Sequence, residues 1–208
     1  MTRTDGGGRP LRFGCAILAG GKGSRFGGTD KARLTLEGRT YLERIAAELS
    51  GFDERLVAGG APDLAASVGF RPVPDSVPGL GPLGGLRDAL AACASDVLLV
   101  VPCDLPFFRR ALADFLVRAW EAGSAGGEGI EGSGGDDALV VRDGDGRLQP
   151  LCGLYAKRCL DAVEARLARG ERRVSDLAAD VRVRAVDLPA ELRGTPVLHN
   201  VNRPEDLP

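Results

Sequence analysis

With 208 residues, the chain has the size of one domain with a substantial buried core. Its 27 basic and 29 acidic residues leave a net charge of −2, which excludes a nucleic-acid partner recruited by bulk charge. No stretch reaches the length of a membrane span and no signal segment opens the chain, so no membrane association is expected. Five cysteines form no C-x-x-C pair, and a reduced, cytoplasmic protein follows.

Residues 1–12, polar and rich in Gly and Arg, read as a disordered tail, and 13–208 as a single domain. The apolar run at 13–18 is a buried strand that empties into a loop with five glycines in nine residues, Gly20 to Gly28, carrying Arg25 and closing on Lys31. Glycines let backbone N–H groups approach phosphate oxygens, and two cations can neutralise their charge. A solvated glycine loop is the plain alternative; the apolar strand directly before it favours phosphate binding. No register supplies a Walker-type loop, since Thr29 stands where its lysine belongs.

Tyr41, Leu42, Ile45 and Leu49 share one helical face, and strands follow at 54–58 and 70–74. Asp75, just past the latter, could accept hydrogen bonds from a base or ribose, or simply start the turn Asp75-Ser76-Val77-Pro78. Gly79 to Gly84 spells G-x-G-x-x-G, but it is detached from the preceding strand and Pro82 removes an N–H, so it reads as a loop rather than a dinucleotide fingerprint. Leu83, Leu86, Leu90 and Cys93 mark a helix, and 96–101 a fully buried strand.

Asp104 sits just past the end of that strand, on the edge where open parallel sheets bind ligands. A carboxylate beside a polyphosphate is repelled unless a cation intervenes, so its expected role is to hold Mg²⁺. Capping a helix near Phe108 is the structural alternative. Leu112, Phe115, Leu116 and Ala119 mark another helix, and the glycine-rich segment 123–137 a surface loop. Strands at 137–142, 151–155 and 182–187 enclose a helix carrying Leu160, Val163 and Leu167, with Gly170 as its stop. The alternation gives an α/β fold with a parallel sheet. His199 is the only histidine, which argues against a histidine zinc site, and no G-x-S-x-G elbow marks a hydrolase.

Leu18-Ala19-Gly20-Gly21, then Arg25 and Gly27-Gly28-x-Asp30-Lys31, resembles the signature loop of the MobA-type molybdenum cofactor guanylyltransferases. Gly81-Pro82-Leu83-Gly84-Gly85, Pro102-Cys103-Asp104-x-Pro106, Gln149-Pro150-Leu151-Cys152, Gly170-Glu171-Arg172-Arg173-Val174 and Asn200-Val201-Asn202-x-Pro204-Glu205-Asp206-Leu207 extend the resemblance in order along the chain. Phe26 replaces a common Met, and Ala58-Gly59-Gly60 stands where some members carry an Asn.

The resemblance implies a Rossmann-like, GT-A-like nucleotidyltransferase fold, with a mostly parallel sheet flanked by helices on both faces. It implies GMP transfer from Mg-GTP to the terminal phosphate of molybdopterin (Mo-molybdopterin), with pyrophosphate released. Leu18, Ala19, Gly20, Gly21 and Lys31 would bind nucleotide, Asp75 its guanosine part, and Asp104 the Mg²⁺. Arg25, Lys31 and Asp104 would be catalytic. Gly84, Gln149, Pro150, Asn200 and Asn202 would face the acceptor. Transient partners of molybdenum-cofactor biosynthesis are implied as well. A fold-mate using CTP or another phosphorylated acceptor is the nearest rival, and an inactive nucleotide-binding protein the more distant one.

Overall fold

The computed structural model describes residues 9–20, 31–123, 135–202 and 204–207. Gly21 and Arg25, and most of the loop expected over 123–137, therefore lie outside the described residues. The strands are β1 (Phe13–Leu18), β2 (Thr35–Leu36), β3 (Arg39–Thr40), β4 (Glu54–Ala58), β5 (Arg71–Val73), β6 (Val97–Pro102), β7 (Ala138–Arg142), β8 (Leu148–Ala156) and β9 (Val183–Asp187). The helices are α1 (Tyr41–Glu48), α2 (Pro62–Ser67), α3 (Gly81–Ala92), α4 (Arg110–Gly123) and α5 (Cys159–Ala168).

Seven strands form one sheet in the order β5-β4-β1-β6-β8-β7-β9. β5, β4, β1 and β6 run parallel, and β8 then enters antiparallel between β6 and β7. β9 pairs parallel with β7, so β8 alone runs against the other strands and the expectation of a mostly parallel sheet holds. Alternation along the strands divides the core in two. Cys15, Ile17, Val97, Leu99 and Val101 face a cluster with α1, α2 and α4, while Ala16, Leu18, Leu98 and Val100 face α3 and α5. Helices therefore cover both faces, and each Val or Leu so buried contributes about 1.5–3 kcal/mol.

Local signals set the element ends. Thr40 accepts from the Glu43 N–H at 3.1 Å while the Glu43 carboxylate accepts from the Thr40 N–H at 2.7 Å, a reciprocal cap that starts α1. Gly170, at φ +79°, follows α5 as expected. The Gly79–Gly84 segment departs from its expectation as a loop: Gly81 opens α3 and Gly84 lies inside it, because Pro82 suits the first helical turn, where its missing N–H costs nothing.

The expected tail also ends earlier than Arg12. Arg9 reaches Asp96 at 2.6 Å, the Arg12 N–H donates to the other Asp96 oxygen at 2.8 Å, and Leu11 packs on the core. Asp104 does not cap α4, which begins only at Arg110; the Glu48 carboxylate accepts from the Arg110 N–H there at 2.8 Å.

Candidate functional site

Parallel pairing of β1 with β6 fixes the geometry at one edge of the sheet. Leu18 lies opposite Pro102, and the Leu18 carbonyl accepts from the Cys103 N–H at 3.0 Å. Gly20 and Asp104 thus each stand two residues past paired neighbours, on the same rim. On the other side, the Ala58 carbonyl accepts from Ala19 N–H at 2.9 Å and Gly20 N–H at 3.3 Å. Those two amides hold β1 to β4.

Gly20 and Gly59 touch backbone to backbone. A Cβ on Gly59 would come within 2.6 Å of the Gly20 Cα, and Gly59 sits at φ +74° besides. Only glycine fits there. Sequence reasoning treated Gly59 merely as the place of a missing Asn, although a Gly-Gly pair directly after an apolar strand was the available signal. The Asp75 carboxylate abuts the same contact, 3.5 Å from where a Gly20 Cβ would stand. Desolvation there, and then the charge of Asp88, push the Asp75 carboxyl above its ordinary range.

Three of the expected site residues meet at the end of β6. Lys31 Nζ donates to Asn202 Oδ1 at 2.5 Å and lies 3.8 Å from Asp104 Oδ2. The Val201 N–H donates to the Asp104 carbonyl at 2.8 Å, which lays the last segment of the chain across the end of β6. Asp206 Oδ2 in turn accepts from the Asn202 N–H at 2.8 Å and orients that asparagine. Asp206 belongs to the closing motif that carries the resemblance, but the sequence reading gave it no role of its own.

Asp104 Oδ1 is buried and has no hydrogen-bond partner among the described residues. Burial pushes the Asp104 carboxyl up, and Lys31 opposes that rise only in part. A desolvated carboxylate oxygen with one distant cation is an incomplete arrangement. It suits a hard divalent ion, which takes oxygen ligands and completes its shell with phosphates and water. Among the described residues no group of three or more His, Cys, Asp or Glu could hold a metal by itself.

The expected acceptor residues are more dispersed. β8 runs against β6, so its first residues, Gln149 and Pro150, lie at the rim where β6 ends. The Gln149 amide, however, donates to Asp143 at 2.9 Å and braces the β7–β8 hairpin. Gly84 is buried in α3, where a Cβ would stand 2.5 Å from the Leu80 Cβ, so close packing accounts for that glycine. Asn200 is exposed beside the Lys31–Asn202 pair in sequence.

Residues 15–184 match the family model of the MobA-like NTP transferase domain. A chain from Cereibacter sphaeroides named molybdenum cofactor guanylyltransferase is 37% identical over 202 residues, spanning 95% of this chain and 94% of its own. One from Pelotomaculum thermopropionicum, named probable molybdenum cofactor guanylyltransferase, is 36% identical over 195 residues, 92% and 88% of the two chains. Among solved structures, molybdopterin-guanine dinucleotide biosynthesis protein A from Archaeoglobus fulgidus shares the fold with a TM-score of 0.72 at 23% identity, over 92% and 93% of the chains. The 2-C-methyl-D-erythritol 4-phosphate cytidylyltransferase of Thermus thermophilus shares it too, with a TM-score of 0.63 at 19% identity, over 92% and 93%. The fold alone therefore leaves the nucleotide open.

Proposed function

The chain belongs to the MobA-like NTP transferase family, and we infer that this protein transfers GMP from GTP to the terminal phosphate of molybdopterin. An acceptor phosphate oxygen attacks the α-phosphorus of GTP, the bond to the bridging oxygen breaks, and pyrophosphate leaves. The guanine dinucleotide cofactor is the other product. The observation that carries this reading is the meeting of Lys31, Asn202 and Asp104 at the rim beside the Gly20–Gly59 contact.

The chemistry asks little covalent work of the protein. Two anionic phosphates must approach, so the barrier is lowered by positioning and charge neutralisation. On this reading Lys31 supplies a cation to the phosphates, with Arg25 as its partner from the loop. Asn202 holds Lys31 away from a tight pairing with Asp104 and leaves its charge available. Asp75 contacts the guanosine part, and Gln149, Pro150 and Asn200 lie on the acceptor side.

A divalent ion fits the donor set, and Mg²⁺ is the one we assign; Asp104 would hold it, and when bound it would supply electrostatic neutralisation of phosphate oxygens. No thiol takes the part of a nucleophile. All five cysteines are buried and none is disulfide-bonded, and burial pushes the Cys152 thiol up to about 12. Reduced thiols in such places fit a cytoplasmic enzyme, and among the described residues no helix is long and apolar enough to cross a membrane.

Pyrophosphate release with GTP against CTP, in the presence of molybdopterin and Mg²⁺, tests the reading. Turnover is expected with GTP. Equal or better turnover with CTP would overturn the guanylyl assignment.

A further inference from the structure

Asp88 is a buried carboxylate, 7% exposed, on a helix that carries none of the groups assigned to the chemistry. Its partners explain it. Ser76 donates twice to it, through its N–H at 3.1 Å to Oδ2 and through its hydroxyl at 2.7 Å to Oδ1. Arg87 places its Nε 2.7 Å from Oδ1 as an ion pair that makes no hydrogen bond, and its guanidinium donates to the Ser76 hydroxyl. Burying a carboxylate costs several kcal/mol unless such partners surround it, and this one is surrounded.

Ser76 is the residue after Asp75. The segment they occupy leaves β5 and turns through Gly79 and Gly81, both at positive φ, before entering α3. Nothing in that turn's own sequence fixes where Asp75 points. Two bonds donated by the neighbouring peptide and hydroxyl to one buried carboxylate do fix Ser76, and the adjacent Asp75 carboxylate lies against Gly20 and Gly59.

We propose that Asp88, paired with Arg87, is a positioning residue for nucleotide recognition: it pins Ser76 and so aims Asp75 at the guanosine part of GTP. The inference rests on the reading of Asp75 as a guanosine contact. Because Asp88 does not touch the phosphates, its loss weakens GTP binding and leaves the chemical step largely intact. A displaced recognition group costs about tenfold.

The test measures the GTP Kd without acceptor, and KM and kcat for pyrophosphate release with it, in D88A, D88N, S76A, D75A and the double variant D75A/D88A. D88A is expected to raise Kd and KM about tenfold while kcat at saturating GTP changes less than about threefold. D88N, which keeps an acceptor for the Ser76 N–H, restores most of that affinity, and S76A loses about threefold. The double variant binds no worse than D75A, since both changes remove one contact. An unchanged Kd in D88A, or a full further loss in the double variant, overturns the proposal. Should D88A fail to fold, D88N and S76A decide, and wild-type affinity in S76A overturns it. Wild-type protein that binds GTP yet does not modify molybdopterin overturns the function while the Kd series still judges Asp88. Absence of GTP binding removes both.

Discussion

Lys31 and Asn202 stand 171 positions apart, yet the lysine ammonium donates to the asparagine side-chain oxygen at 2.5 Å. The contact joins the residue that closes the glycine loop to the segment that crosses the end of β6. One cation is thereby shared between the part of the chain expected to hold nucleotide and the part expected to face acceptor.

Replacing Lys31 with alanine is expected to lower kcat/KM for GTP by about 10²–10³-fold. Its side chain is partly exposed and supports little packing, so the unfolding free energy should change by no more than about 1 kcal/mol. Steady-state pyrophosphate release and urea unfolding on the same preparation check the two halves. A large loss of stability would contradict the assignment of Lys31 to chemistry.

Asp104→Asn removes the proposed metal ligand while preserving shape. Metal-dependent turnover should vanish, yet the fold should be no less stable, because burial penalises the Asp104 charge more than the Lys31 pairing compensates it. Thermal unfolding with and without Mg²⁺ and GTP reads this directly. Wild-type protein should gain several degrees from the ligands and the variant much less. Equal gains would take the metal away from Asp104.

Glu54, at the opposite edge of the sheet, controls stability rather than activity. Burial would raise its carboxyl, but the Ala94 N–H, the Ser95 hydroxyl and N–H and the Cys93 thiol together bring it down to about 2. A folded value below the unfolded one stabilises the protein above the ordinary carboxylate range, and that contribution is lost as pH falls toward 2. Its size is on the order of 3 kcal/mol. E54Q should therefore be less stable near neutrality and should show a shallower decline in unfolding free energy between about pH 5 and pH 2 than wild type, the remainder coming from other carboxylates held low, such as Asp96 and Asp137. Parallel pH curves for the two proteins would refute it.

Gly59→Ala places a methyl group 2.6 Å from the Gly20 Cα at φ +74°. Strain and overpacking should cost about 2–4 kcal/mol. The same shift would displace Gly20 and weaken GTP binding, which calorimetry can measure. Unaltered affinity would mean that the rim does not depend on this contact.

Much of the fold was readable from apolar spacing. β1 and β6 are buried apolar runs, β4 is buried over its last three residues, and the stripes on α1, α3, α4 and α5 repeat at helical intervals. What escaped is short or non-local. α2 has six residues and makes no stripe; only Pro62 at its start and Asp63 in its first turn announce it. The hairpin of β2 and β3 turns on Glu37 at φ +51° and Gly38 at φ +76°, too brief for an alternation to register. In the site, Asp104 and Lys31 could be named from strand ends and loop chemistry. Their approach to Asn202 could not, since no local pattern encodes a contact across the whole chain. Asp88 lies beside the apolar stripe of α3, and nothing in the local sequence marks its carboxylate as buried.

The change of direction at β8 divides labour across the sheet. Everything that shapes the Gly20–Gly59 contact hangs on the strands to one side of β6, while the Asp143–Arg147 hairpin turn belongs to the other. Lengthening or rewriting that hairpin leaves the first half undisturbed. Such a layout is modular: the ribbon beyond β6 and the glycine contact before it are built from separate strands, so neither depends on the other for its backbone pairing.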